Sequence, residues 1–170
     1  MQNLPSYLNL WTRFILTSIG ILFMIGLPIV FGYEESYSRY YIECPLLYVA
    51  VFNILAIGLF IHKNKEWTYP SLFLVTLALF NMHEFPVIHY SAAVGFFISS
   101  TYAMWNDKRV SGFGRASLIA YPILLFDLIW FEAIQVLLVC IFHLVYTLKM
   151  MKLKKDKKKI KKKIKEQDIY

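Results

Sequence analysis

Charged residues fall in short clusters along this chain, and the apolar stretches between them come in lengths of one or two bilayer crossings. A crossing takes about twenty apolar residues, because a helix rises about 1.5 Å per residue through a hydrocarbon layer of about 30 Å. Residues 11–31 supply one such length and residues 45–62 another, with an acidic segment holding Glu34, Glu35 and Glu43 between them. Residues 69–105 and 116–151 are each about two lengths long and must therefore fold back on themselves. In the first, His83, Glu84 and Pro86 mark the turn, since proline biases its predecessor away from helix. In the second, Asp127 and Glu132 bracket a turn expected at Leu128-Ile129-Trp130-Phe131.

The expected fold class is an all-α polytopic membrane bundle of six transmembrane helices over 11–31, 45–62, 69–83, 86–105, 115–128 and 131–150. Residues 1–148 form this domain and 149–170 a Lys-rich cytoplasmic tail. Composition agrees: 58% of residues are hydrophobic and 17% charged, too few to clothe a water-soluble globule. The overall charge of +7 does not indicate a nucleic-acid binder. Residues 1–148 carry 7 Lys and Arg against 8 Asp and Glu, a balance of −1, and residues 149–170 carry 11 Lys against 3 Asp and Glu, a balance of +8. The basic excess is a tail with no aromatic residue to stack a base before Tyr170.

Orientation follows from the loops. Lys63, Lys65, Lys108, Arg109, Arg115 and the tail alternate along the chain with Glu34, Glu35, Glu43, Glu84, Asp127 and Glu132. Six crossings put the basic clusters on one side, which the positive-inside rule makes cytoplasmic, so both termini lie there. The expected location is a cytoplasmic membrane, inner or plasma. The apolar run after Arg13 is longer than a signal-peptide core and lacks a small-residue cleavage site, which reads as a retained helix. Cys44 and Cys140 are too few for a disulfide framework.

Ionisable groups in hydrocarbon are functional candidates by default. His83, Glu84, His89, Asp127, Glu132 and Gln135 collect near the outer ends of helices three to six as one candidate ligand pocket. On helix six Glu132, Gln135, Val139, His143 and Tyr146 recur at three- and four-residue steps, a stripe that should face the interior and adds His143 to the set. His89 points away from the small residues of its own helix and needs a polar partner. There is no HExxH, HxxxH, GxSxG or CxxC, so no metal, cofactor or catalytic residue is assigned. Ser91, Gly95 and Ser99 form a small-residue face for helix packing or a homodimer seam. In the tail, Lys152, Lys154, Lys155, Lys157, Lys158, Lys159, Lys161, Lys162 and Lys163 suit anionic headgroups, each worth about 1 kcal/mol close to the leaflet. Met150, Leu153, Ile160 and Ile164 draw an apolar line along the same segment if helix six continues.

The string His89-Tyr90-Ser91-Ala92-Ala93-Val94-Gly95-Phe96-Phe97, followed by Trp105 and the turn Asp107-Lys108-Arg109, resembles the six-helix DRAM/Frag-type membrane protein families and their bacterial relatives over residues 83–150. Glu132 is similar to a carboxylate those proteins often carry early in the last helix. The first outer loop is short here and departs from the family pattern. The resemblance implies a small multi-pass protein of lipid handling or lipid-anchor remodelling, with no agreed catalytic motif.

The expected function is a non-catalytic membrane protein that binds or handles a lipid or amphiphile in an outward-facing polar pocket, with His89 and Glu132 as its central pair. The alternatives are an accessory subunit of a larger membrane complex and a lipid-headgroup hydrolase. Expected partners are membrane lipids, anionic at the tail, and a membrane complex or a second copy of the chain; nucleic acid is not among them.

Overall fold

A computed structural model describes residues 6–62, 64–108 and 110–167. Every regular element among them is helical. We label the long ones α1 (Ser6–Phe31), α2 (Pro45–Phe60), α3 (Thr68–Leu79), α4 (Pro86–Asn106), α5 (Gly112–Ala120) and α6 (Leu128–Gln167). α1 and α6 are long and apolar enough on their own to cross a membrane, over Leu10–Phe31 and Leu128–Lys157, and α2 is a shorter apolar helix.

Local chemistry sets the boundaries. α1 stops at Gly32, whose φ of +85° suits only glycine. Pro45 and Pro86 open α2 and α4 at positions where a missing amide costs nothing. α3 ends at Leu79, short of the expected 83, because the Asn81 side chain accepts from the amides of His83 and Glu84 at 3.0 and 2.9 Å and turns the chain early.

The turn between helices five and six also differs from expectation. Pro122 has no amide to continue the α-helix, so after Ala120 the chain tightens into a 3-10 stretch, Tyr121–Leu125. Asp127 then caps α6, its Oδ1 accepting from the amides of Ile129 and Trp130 at 3.1 and 3.3 Å. Residues 128–131, expected as the turn, are the first turn of α6. That helix does not stop at 150; it runs on to Gln167 as one rod of about 60 Å.

Each helix packs on the next in chain order, and α6 returns to α1, closing a ring in which α4 also touches α6. Neighbours are antiparallel, so the connections gather at two ends. At one, Tyr33 meets Asp127, Tyr37 meets Glu132 and Ser38 meets His89. At the other, Arg13 meets His143, Trp67 packs on His143 and Asn106 reaches Glu66. The first end holds Glu34, Glu35, Glu43 and Glu84 with Arg39, and the second Lys65, Lys108, Arg115 and the base of the tail with Glu66 and Asp107. We call them the acidic and basic ends.

The interior is aromatic. Tyr48 stacks on Phe52 at 4.2 Å, Phe97 meets Phe131 edge-on at 5.0 Å, and Trp67 lies 5.1 Å from Phe142. The outer wall is apolar too: Leu46, Leu125 and Phe126 are 84–87% exposed, and only 28% of the most apolar window of α1 is buried. A girdle of this kind has no partner in water.

The closest backbone approach joins α4 and α5, where a Cβ on Gly114 would sit 2.6 Å from the Trp105 Cα. Gly114→Ala is therefore expected to cost about 1–3 kcal/mol of stability. Gly112→Ala, which meets open space, should stay within about 0.5 kcal/mol. Thermal midpoints in detergent compare the two, and equal midpoints would refute this contact.

Candidate functional site

The acidic end is closed by a strap, residues 33–43, containing a 3-10 turn (Tyr37–Arg39) and one α-turn (Tyr40–Glu43). Its anchors are specific. The Met24 carbonyl would bond the amide of residue 28 in an unbroken helix, but that residue is Pro28; the Tyr37 hydroxyl donates to it instead, at 2.7 Å. Burial pushes the Tyr37 phenol up to about 12, so it remains a donor at neutral pH. The Tyr40 hydroxyl donates to the Gly32 carbonyl at 2.6 Å. The Tyr33 hydroxyl donates to Asp127 Oδ2 at 2.7 Å, a bond to a carboxylate that holds the phenol above its ordinary value. Arg39 and Glu35 pair at 2.7 Å on the exposed side, where ion pairs contribute little.

Beneath the strap lies Glu132, in the first turns of α6 and 8% exposed. Its Oε2 accepts from the Tyr37 backbone amide at 2.7 Å. The carboxylate stands at the rim of a cavity of about 20 Å³, room for one water, whose walls are mainly apolar and include Phe52, Leu74, Phe96 and Val136. Tyr48 and Ser38 complete the polar rim.

His89, in the first turn of α4, is buried and has both ring nitrogens engaged. Nδ1 lies 2.7 Å from the Phe80 carbonyl, which can only accept, so Nδ1 carries the proton. Nε2 then accepts from the Ser38 hydroxyl at 2.7 Å. His89 and Glu132 are thus joined through the adjacent strap residues Ser38 and Tyr37.

The remaining candidates scatter. His83 and Glu84 are exposed on the α3–α4 turn. Gln135 is buried in a separate clasp across α4, α5 and α6: Ser117 Oγ donates to Gln135 Oε1 at 2.5 Å, Gln135 Nε2 returns a bond to the Ser117 carbonyl at 2.9 Å, and Thr101 donates to Ser117 at 2.6 Å. His143 is at the basic end. Glu132, Gln135, Val139, His143 and Tyr146 are all buried, and they are distributed along the length of the bundle. Among the described residues no three His, Cys, Asp or Glu side chains converge as a metal site would need.

Of the small-residue face, Gly95 is covered within the bundle by Phe73 of α3, Ser99 bonds back to the Gly95 carbonyl at 2.6 Å, and Ser91 is exposed. In the tail Lys152, Lys155 and Lys157 are exposed and Lys154 partly so. The side chains of Lys158, Lys159, Lys161, Lys162 and Lys163 lie outside the described residues.

Sequence reasoning missed the partners. Ser38 and Tyr37 carried no signal beyond sitting in a polar loop. Arg13 did carry one, as the sole cation at the head of an apolar run. It is 2% exposed, with Nη2 donating to His143 Nδ1 at 3.1 Å and its guanidinium 5.1 Å from the Tyr146 ring centre. His62 packs beside them, 5.2 Å from His143 and 4.7 Å from Tyr146.

No protein-family model, curated protein or solved structure matches the chain.

Ser38→Ala strands His89 Nε2 without a donor and is expected to cost about 1–3 kcal/mol, the usual penalty for a buried unsatisfied group. Tyr33→Phe, at an exposed bond, should cost less than about 0.5 kcal/mol. Thermal midpoints, with protease sensitivity of the strap as a second readout, separate them; a silent Ser38→Ala would mean that His89 does not hold the strap.

Proposed function

We propose that this chain is an integral membrane protein with six crossings, its basic end and both termini cytoplasmic, which binds a lipid or other amphiphile at its acidic end without transforming it. The observation that carries the reading is Glu132: a buried carboxylate at the rim of an apolar cavity, under a strap fixed to the helices by a few side-chain bonds. Four bonds, Tyr33 to Asp127, the Tyr37 amide to Glu132, the Tyr37 hydroxyl to Met24 and Ser38 to His89, must break for the strap to lift. At about 0.5–3 kcal/mol net each, least for the exposed Tyr33 bond and most for the one to buried Glu132, their sum is what the ligand's differential affinity must supply.

Lifting the strap joins the cavity to the outer leaflet. An apolar chain then lies against Phe52, Leu74, Phe96 and Val136, and a donor on its headgroup replaces the Tyr37 amide on Glu132. The lysines of the α6 extension meet anionic headgroups on the opposite face. The apolar girdle and the separation of acidic from basic ends support the membrane topology. A lipid-handling role is also what the resemblance to the DRAM/Frag-type families implies.

An accessory subunit has less in its favour, because Phe73 already covers Gly95. A hydrolase has less still, because both nitrogens of His89 are occupied and Glu132 bonds a backbone amide.

Topology and ligand are tested separately. In a Cys44→Ala background, a membrane-impermeant maleimide applied to intact cells is expected to label Glu84→Cys and spare Lys65→Cys until permeabilisation. The reverse pattern would invert the orientation, and labelling of both would refute the crossings between them. Native mass spectrometry of gently extracted protein should find a retained amphiphile that Glu132→Gln weakens about tenfold, the loss of one bond to a charged group. Wild-type protein that carries no amphiphile would overturn the binding role.

A further inference from the structure

The basic end holds an excess of donors. Arg13 Nη2 faces His143 Nδ1, and a guanidinium can only donate, so Nδ1 is the acceptor and the ring proton sits on Nε2. Among the described residues, that Nε2–H has no partner, nor has the Arg13 Nε–H or the Trp67 Nε1–H, and the Thr147 hydroxyl one turn beyond His143 is also unbonded. All four residues are at most 2% exposed. The Trp67 and His143 rings lie 4.2 Å apart, so these groups belong to one cluster, drawn from α1, the turn before α3, and α6.

The charge is unbalanced as well. Among the described residues Arg13 contacts His143 and the face of Tyr146 and pairs with no carboxylate. A buried cation without a counter-charge costs several kcal/mol, and each unmade buried hydrogen bond adds to that. What is missing is an acceptor with negative charge and several oxygens.

We propose that the basic end is a binding site for a phosphate-bearing anion, with Arg13 as its charge partner and Trp67, His143 and Thr147 as donors. A tetrahedral oxyanion offers enough acceptors for all of them, and Arg matches it bidentately. The approach is a groove of about 390 Å³ along the start of the α6 extension, between Lys149 and Lys152 and floored by Met150 and Leu153. Tyr146 lines it and carries the Arg13 guanidinium 5.1 Å from its ring centre, so one ring separates the groove from that cation. Asp156, the groove's one acid, is ten residues or about 15 Å further along the helix. The anion is either free phosphate or the phosphate of an inner-leaflet lipid headgroup; the second source rests on the proposed topology and the first does not.

The test uses full-length protein in mild detergent. One arm follows the thermal midpoint against inorganic phosphate, with chloride of equal ionic strength as control. The other reconstitutes the protein in phosphatidylglycerol vesicles, extracts it gently and weighs what stays bound. A midpoint raised by phosphate assigns the free ion, and stoichiometric phosphatidylglycerol that Glu132→Gln leaves bound assigns the headgroup; either supports the site. In both, Arg13→Gln is expected to abolish binding and Trp67→Phe, which keeps an aromatic ring but loses the donor, to weaken it about tenfold. If Arg13→Gln does not fold, Trp67→Phe carries the test. Glu132→Gln should weaken the outer amphiphile and keep the phosphate response, so the two sites fail separately. Wild-type protein that binds neither probe, or variants that bind as wild type does, would overturn the proposal.

Discussion

A polar group shut away from water must find its partner inside the protein, and most of this architecture is an answer to that requirement. Helices satisfy their own backbones except where a proline interrupts them and where they end. Pro28 leaves the Met24 carbonyl without an amide, and the Tyr37 hydroxyl, brought back by the strap, takes that place. Asp127 supplies acceptors for the first amides of α6 while accepting from Tyr33 of the strap. Ser117 and Gln135 exchange two bonds and so tie α5 to α6 at mid-depth. Each of these is a long-range contact made by a side chain that would be costly to leave alone, so together they fix which helices are neighbours.

The two ends meet the requirement to different degrees. At the acidic end donors and acceptors close on one another: the Phe80 carbonyl, His89, Ser38, the Tyr37 amide and Glu132 form a chain of bonds with a defined tautomer. At the basic end the same reasoning about histidine tautomers leaves N–H groups over. A closed network stabilises a resting state and yields only when something replaces its bonds. An unfilled one gains stability when something arrives. In the proposed reading the acidic end is therefore the one that opens for its ligand, and the basic end the one that a ligand completes.

Much of the layout was legible because charge and hydrophobicity act along the chain. The alternation of acidic and basic clusters predicted which loops share an end, and the stripe from Glu132 to Tyr146 predicted the buried face of α6. What was not legible depends on local competition or on distance. Asn81 ends α3 early by capping two amides, an effect that periodicity does not register. The turn before α6 was misplaced because Pro122 acts upstream of the acids, and Asp127 is a cap rather than a bracket. In the candidate pocket His89 and Glu132 come together only through the strap, whose polar residues look alike in sequence, whereas His83 and Glu84 are polar because their turn faces solvent.

Depth ties the two sites together. On α6 Glu132 and His143 are eleven residues, about 16 Å, apart. Val136, Val139 and Cys140 lie between them, beside a second apolar cavity of about 20 Å³ that reaches His143. The interior between the two polar networks is thus about half as deep as a bilayer core, whereas the apolar outer face of α1 runs over 22 residues, a full crossing. In the proposed topology α3, about 18 Å long, is the helix shorter than the bilayer core, a mismatch that costs fractions of a kcal/mol per Å. In that topology each leaflet has its own polar end for a ligand, and the apolar interior around Val136, Val139 and Cys140 keeps Glu132 apart from Arg13.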